Sequence, residues 1–143
     1  MKKPLKIPLS PRLEEVVEIR LEPLTSQLES NTEYEAMSFA GGPTADVECT
    51  SSQFQDCSIS LSETDNLVLQ KVRASDTLFE MGNVRVLDAH NSRWKDCRIS
   101  QGKIVSGNFS GAHLSGVLFK DLRLGFLNLI QSEISDVLFK NCK

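Results

Sequence analysis

The chain has 143 residues and a formal net charge of −3, and 40% of its residues are apolar. This length fits one domain with an extension. Residues 47–143 hold 11 acidic and 11 basic residues, and this near-neutral balance does not favour nucleic-acid binding. No apolar run near the N-terminus is long enough for a secretory signal or a membrane span, so the sequence predicts a cytoplasmic protein without membrane contact.

Residues 1–46 are predicted to form an N-terminal arm or cap that is partly helical. Ser10 followed by Pro11 is typical of a helix start, with Ser10 as the N-cap. A one-sided apolar stripe follows, and Pro23 is expected to break or kink it. The stripe consists of Leu13, Val16, Val17, Leu21, Leu24 and Leu28. Two interpretations remain open, because the arm could dock onto a partner or could cover the open first coil as a plug.

Residues 47–143 follow a period of five. Of the 18 positions taken at every fifth residue from Phe54 to Phe139, here called centres, only Thr64 is polar. A period of five fits neither the 3.6 of a helix nor the 2 of a single strand, so it indicates a repeat architecture. The residue two before each centre is small or apolar, and the other three are mostly polar. Each unit is therefore predicted to be a short extended segment plus a turn, and the units must stack into an all-β solenoid.

This pattern resembles that of the pentapeptide repeat family, whose loose motif runs Ala, Asp or Asn, Leu and two variable residues. The nearest local matches are Asn108-Phe109, Ala112-His113-Leu114 and Leu127-Asn128-Leu129. The chain departs from the family's favoured residues, since Ala stands two before a centre only at Ala112. The Leu-rich, Pro-bearing leader is similar to those of actinobacterial members of the family.

The resemblance implies a right-handed quadrilateral β-helix with 20 residues in each coil. Residues 20 apart would then stack at the ~4.8 Å spacing of strands. Small centres would lie next to large ones, as Ala74 would next to Trp94, which fills a narrow interior without clashes. One uninterrupted apolar ladder is predicted, formed by Ile59, Phe79, Ile99, Phe119 and Phe139.

A column of aspartates is the first candidate functional feature. The 20-residue coil would stack them at the position two after the centre, where Gly116 interrupts the column. Aspartates ~5 Å apart in water repel by a little under 1 kcal/mol, so the column requires an explanation. Either it is an anionic ridge that binds a partner, or each Asp accepts a hydrogen bond from backbone N–H groups at its turn. The column consists of Asp56, Asp76, Asp96 and Asp136.

Apolar residues in columns that are expected to face water are the second feature. Leu78, Leu118 and Leu138 share one stack, and Phe126 and Ile130 lie near the carboxyl end. The candidate dimer or cap surface consists of Leu118, Phe126, Ile130 and Leu138. Because the register continues to Lys143, the solenoid is expected either to be truncated or to have its last coil covered. For an intact chain the resemblance implies a homodimer through the C-terminal coil.

The sequence predicts no catalytic, cofactor or metal site. The four cysteines lack Cys-x-x-Cys spacing and are interpreted as buried apolar residues in a reducing compartment. His90 and His113 lie in outward columns on different faces, without a nucleophile or carboxylate at motif spacing. A solenoid filled by its own side chains also offers no pocket for a substrate.

The expected function is therefore a non-enzymatic scaffold that presents a rigid surface to a protein partner. The alternative comes from the resemblance, because quinolone-resistance members of the family imitate DNA and occupy the DNA groove of gyrase. On that reading the aspartate column would modulate or protect DNA gyrase. The flanking Arg73, Arg93 and Lys95 would partly neutralise the column, which argues against strong mimicry.

Overall fold

The computed structural model describes residues 22–24 and 26–143, which form an all-β parallel solenoid of about five turns. These residues contain no helix. The helix predicted from Ser10 and Pro11 lies outside them. The strands are β1 (Glu22–Pro23), β2 (Glu33–Glu35), β3 (Met37–Ala40), β4 (Thr44–Glu48), β5 (Gln53–Gln55), β6 (Ser58–Ser60), β7 (Glu63–Val68), β8 (Arg73–Ser75), β9 (Leu78–Asp88), β10 (Arg93–Asn108), β11 (His113–Asn128) and β12 (Glu133–Lys140).

Each turn of the solenoid contains 20 residues, as the parallel pairing shows. Phe54 pairs with Ala74, Ala74 with Trp94, and Trp94 with Leu114. A turn has four sides, each with one centre, and the long strands β9 to β11 continue around corners. Side 1 is centred on Phe54 and its partners, side 2 on Ile59, side 3 on Thr64 and side 4 on Leu69. The predicted ladder from Ile59 to Phe139 on side 2 is confirmed, rung by rung.

The interior is filled by the centres and by the residues two before them. Every centre from Phe54 to Phe119 is buried, including the polar Thr64, whereas Ile134 and Phe139 in the last turn are 50% and 44% exposed. Seven aromatic rings contact one another in sequence through this interior, with centroids 4.7–6.1 Å apart. The rings belong to Tyr34, Phe54, Phe79, Trp94, Phe109, Phe119 and Phe139. Burial of these side chains provides the main favourable term for folding.

Trp94 illustrates how one turn accommodates the next. Its indole lies on the rung beside the small Ala74, and its Nε1 donates a hydrogen bond to Ser92 Oγ at 2.6 Å. Ser92 Oγ in turn donates to the carbonyl of Ala89. The largest centre therefore buries its one polar atom without loss of a hydrogen bond.

The corner between sides 1 and 2 is a left-handed turn that recurs in each coil. The residue at this corner has φ between 48° and 67° in every turn, a conformation that Asp, Asn and Gly tolerate best. Its backbone N–H donates to the neighbouring turn, as Asp76 N does to Lys95 O at 3.0 Å. The residues in this column are Ala36, Asp56, Asp76, Asp96, Gly116 and Asp136.

The paired region extends to the N-terminal side of residue 47, where the sequence pattern placed the start of the repeat. Tyr34 pairs with Phe54 and Phe39 with Ile59, in the same 20-residue register. The strand β1 then adds to β3 on side 2, with Glu22 opposite Met37. Leu28 is buried at this end of the core.

Candidate functional surfaces

The four aspartates share one corner column next to side 1, where Asp136 is exposed and the other three are half-buried. Asp56, Asp96 and Asp136 have φ of 53°, 52° and 55°, so the backbone itself favours Asp at these positions. A Cβ on Gly116 would lie 2.5 Å from Asp96 Oδ1, which shows that the Asp96 carboxylate leans over the corner of the next turn. Local conformation thus accounts for the residue type, and the column presents carboxylates along the solenoid axis.

The charges of this column contribute to the raised pKa of two buried cysteines, Cys57 and Cys97. Cys97 lies next to the corner, is fully buried and donates to Lys95 O at 3.3 Å. Burial raises the pKa of its thiol to about 12, and the charges of Asp76 and Asp96 act in the same direction. A thiol with this pKa stays protonated near neutral pH and is a poor nucleophile or metal ligand.

Side 1 carries a basic groove on its outer surface. Arg73 and Arg93 occupy successive rungs. Lys95 follows Arg93 by two residues on the same strand, β10. The groove has a volume of 490 Å³, and its lining also includes Gln53, Gln55 and His113. None of the three cations forms an ion pair with a carboxylate of residues 22–24 or 26–143. Like charges on rungs ~4.8 Å apart repel, so an anionic occupant would relieve this repulsion.

Both histidines have a carboxylate partner, which the sequence analysis did not find. His90 Nδ1 lies 2.7 Å from Asp88 Oδ1, and His113 Nδ1 lies 3.1 Å from Glu133 Oε2. Two spacings give the signal. An Asp at a turn can accept a hydrogen bond from the residue two positions on, as Asp88 does from the His90 backbone N–H at 3.3 Å, and residues 20 apart stack. The second pair is 20 residues apart, so no spacing shorter than a full coil predicts it.

Asp88 is held in a small polar network on side 4. Gln70 Nε2 donates to Asp88 Oδ2 at 2.8 Å, while the His90 ring and backbone N–H contact Oδ1. Burial raises the pKa of the Asp88 carboxyl, but the hydrogen bonds from His90 and Gln70 outweigh it and hold the pKa below its ordinary value. The network stabilises a carboxylate on a half-exposed surface.

The candidate dimer or cap surface divides into exposed and buried members. Phe126 and Ile130 are 65% and 66% exposed, and Leu138 is half-buried. The expectation that Leu118 faces water is wrong, because its side chain is 3% exposed. Leu78, in the same stack, is also buried. Strand alternation gives the direction of a side chain correctly, but it does not show what lies above the sheet.

The remaining cysteines differ in burial: Cys49 and Cys57 are buried, and Cys142 is half-buried. Cys49, Cys57 and Cys142 are free thiols, as is Cys97. Burial raises the pKa of Cys49 to about 12 and also raises that of Cys57. Within the described part of the chain, no three metal-ligating side chains lie together.

Across residues 22–24 and 26–143, no helix has the length and apolarity to cross a membrane. No protein-family profile, no curated protein and no solved structure matches the chain.

Proposed function

We propose that the chain is a pentapeptide repeat protein that acts in the cytoplasm as a non-enzymatic scaffold for a protein partner. The five-residue spacing of the buried centres and the 20-residue turn support the family. The interior, closed by ring-to-ring contacts, supports a surface function rather than chemistry in a cavity. Ladders of outward side chains at fixed spacing form a rigid surface on which a partner can dock without ordering the scaffold.

The basic groove of side 1 is the docking surface that we favour. Arg73, Arg93 and Lys95 support this choice. They lie together in the groove, and none of them has a carboxylate partner among the described residues. An acidic, extended segment of a partner matches this groove in charge and in shape. Its carboxylates would approach two guanidinium groups, which can bind carboxylates in bidentate fashion.

Modulation of DNA gyrase by DNA mimicry is the second candidate. The aspartate column supports it, because stacked carboxylates repeat along one edge. Two observations weigh against it: the left-handed corner already favours Asp, and the three cations lie beside the column. A mimic requires a continuous anionic face, whereas sides 1 and 2 together present mixed charge.

A homodimer through the last turn also belongs to this proposal. Phe126 and Ile130 are exposed there, together with the centres Ile134 and Phe139. A second copy that packs against this turn would bury these apolar side chains and would satisfy its unpaired strand edge. A two-fold arrangement closes the assembly.

Charge reversal tests the docking surface. A fluorescently labelled oligoglutamate peptide is titrated with wild-type protein and with Arg73→Glu, Arg93→Glu protein at low salt, with anisotropy as the readout. The control is Lys103→Glu, Arg123→Glu on side 3, which changes net charge equally at two exposed positions. We expect binding to wild type and to the control, and a loss of at least about tenfold in affinity for the side 1 variant. Equal binding by all three proteins would contradict the groove.

A supercoiling assay separates the two candidate functions. The scaffold proposal predicts that gyrase activity is unchanged by the wild-type protein at micromolar concentration. Inhibition or protection of gyrase that disappears in an Asp56→Asn, Asp96→Asn, Asp136→Asn variant would establish the second candidate instead. The same variant should bind the oligoglutamate peptide at least as well as wild type, because anionic repulsion is removed.

A further inference from the structure

The charges on the outer surface of side 1 follow a fixed order along the solenoid. The residues that directly precede the centres of this side form one outward column, and parallel pairing places them on successive rungs. Within the column from Glu33 to Glu133, the basic residues Arg73 and Arg93 occupy the middle, and His113 follows on the next rung. Glu33 lies two rungs before Arg73, and Glu133 lies two rungs after Arg93. The basic part of this column is therefore short and has an acidic residue at each end.

The residues that directly follow the centres form a second outward column beside the first. Lys95 lies between Ser75 and Ser115 on adjacent rungs, and Glu35 stands at the start of this column. Asp96 follows Lys95 directly in the sequence and belongs to the aspartate column at the neighbouring corner. Acidic residues thus border the basic groove at both ends and along one edge.

This border limits the length of an anion that the groove can hold. The rungs of Arg73 and His113 are ~9.6 Å apart at the ~4.8 Å spacing of strands. A longer acidic run would bring its own carboxylates next to Glu33 or Glu133, and like charges at that distance repel. The screening length at physiological ionic strength is about 8 Å, so both glutamates act only weakly on an anion confined to the rungs of Arg73 and Arg93.

The donors of the groove suit a compact anion with high charge and several acceptor oxygens. Arg73 and Arg93 each offer a guanidinium group, Lys95 adds an ammonium group, and the hydroxyls of Ser75 and Ser115 line the same groove. A carboxylate brings one negative charge and two oxygens. A phosphate monoester carries about −1.5 to −2 at pH 7 and presents three acceptor oxygens. A phosphate group therefore matches three neighbouring cations better than a single carboxylate does.

We infer that the basic groove binds a phosphorylated side chain on the partner segment, with Arg73 and Arg93 as the main contacts of the phosphate. This assignment rests on the protein partner proposed above and names the group that the groove recognises. Because acidic residues border the groove, the neighbours of the phosphorylated residue are expected to be basic or neutral rather than acidic. The exposed Glu33 and Glu35 would receive basic neighbours at one end, and the exposed Glu133 at the other.

Four fluorescently labelled peptides of equal length test this assignment. Three have lysine and glycine neighbours around a central phosphoserine, glutamate or serine, and the fourth has glutamate and glycine neighbours around phosphoserine. Anisotropy is measured with the full-length protein at physiological ionic strength. We expect phosphoserine with lysine neighbours to bind at least about tenfold more tightly than each of the other three peptides. Free phosphoserine should compete at least about tenfold less effectively than the unlabelled form of that peptide, because it lacks the neighbours.

Paired substitutions locate the binding on side 1. Arg73→Gln with Arg93→Gln removes both guanidinium groups from exposed positions, and Lys103→Gln with Arg123→Gln on side 3 removes the same charge elsewhere. Circular dichroism checks that both variants keep the β signal. We expect the side 1 variant to lose at least about tenfold in affinity for the phosphoserine peptide with lysine neighbours, and the control to lose less than about twofold.

Four outcomes would overturn the inference. They are equal binding of the phosphoserine and glutamate peptides, binding that is indifferent to the neighbours of the phosphoserine, equally effective competition by free phosphoserine, and an equal loss of affinity in both variants. If oligoglutamate binds the wild type through Arg73 and Arg93 while phosphoserine gives no advantage, the docking surface remains and the phosphate assignment fails. If neither oligoglutamate nor the phosphoserine peptide binds, both proposals fail.

Discussion

Gly102 stacks on Gly82 so closely that a Cβ on Gly102 would lie 1.9 Å from the Gly82 carbonyl oxygen. The two glycines are partners on adjacent turns, next to the corner between sides 2 and 3. Both have positive φ, of 140° and 59°. Only a residue without a side chain allows the two backbones to approach in this way.

Gly102→Ala is therefore expected to destabilise the protein by at least about 2 kcal/mol, from the steric contact and the strained φ together. The measurement is urea denaturation followed by circular dichroism. Gly42→Ala is the control, because a Cβ there would meet nothing within 4 Å. Equal denaturation midpoints for the two variants would contradict the close approach.

Thr64→Val should stabilise the protein by about 1 kcal/mol. Thr64 is the one polar centre, and its buried Oγ1 has no hydrogen-bond partner in the described part of the chain. The unpaired hydroxyl therefore destabilises the folded state, whereas the methyl group of Val would not. Thr77→Val is the matched comparison, because the Thr77 hydroxyl is also buried but donates to Ser75 O at 2.8 Å. That variant should lose about 1 kcal/mol, and a shift of the same sign in both would show that the hydroxyls are equivalent.

Substitutions at Asp96 separate conformation from charge. Asp96→Asn keeps a side chain suited to φ of 52° and removes a charge, so we expect little change in stability. Asp96→Val places a β-branched residue in the left-handed region and should cost about 1–2 kcal/mol. Thermal melts of both variants provide the check. A large loss in the Asn variant would mean that the carboxylate itself stabilises the corner.

The lowered pKa of Asp88 predicts a pH-dependent stability. A carboxyl whose pKa is lower in the folded than in the unfolded protein stabilises the fold at every pH above its ordinary value near 3.8. That contribution is lost as the pH falls below this value and through the lowered one. Wild type should therefore exceed Asp88→Leu in urea midpoint at pH 7, and the difference should shrink at pH 3. A difference that is constant across this range would exclude the ionised network as its source.

The homodimer proposal predicts that Phe126→Lys with Ile130→Lys dissociates the protein. Two charges in an apolar interface would be left without partners, so sedimentation should change from dimer to monomer. Val105→Lys is the control, because Val105 is exposed but lies one turn before Gly125 and outside the last turn. A monomer in the wild type at micromolar concentration would contradict the proposal.

The sequence predicted the turn and the register because both follow from local spacing. Phe79, Ile99 and Phe119 had to stack once the period of five and the 20-residue coil were combined. The same spacing continues backward to Phe39 and Tyr34, but Thr44 and the polar residues around it hide it. The pairing of β2 to β4 is therefore visible only in the structure.

The candidate surfaces were less accessible to sequence reasoning than the core. Stacking predicted that the aspartates share one column, yet it could not show that the backbone at Asp96 is left-handed. Alternation placed Leu118 outward but gave no information on what covers it. The groove at Arg93 depends on which of its neighbours lack partners, and this is a property of three-dimensional placement rather than of spacing.

The row of aromatic rings has a consequence for how the solenoid comes apart. Trp94 is the only tryptophan, and it lies in the middle of the row, in contact with Phe79 and Phe109. Turns at the two ends have one neighbour, so they fray first, whereas the central turn is held from both directions. Indole emission will report the opening of the central turn alone, and circular dichroism will average over all turns. The gap between the two unfolding midpoints will measure directly how strongly one turn depends on the next.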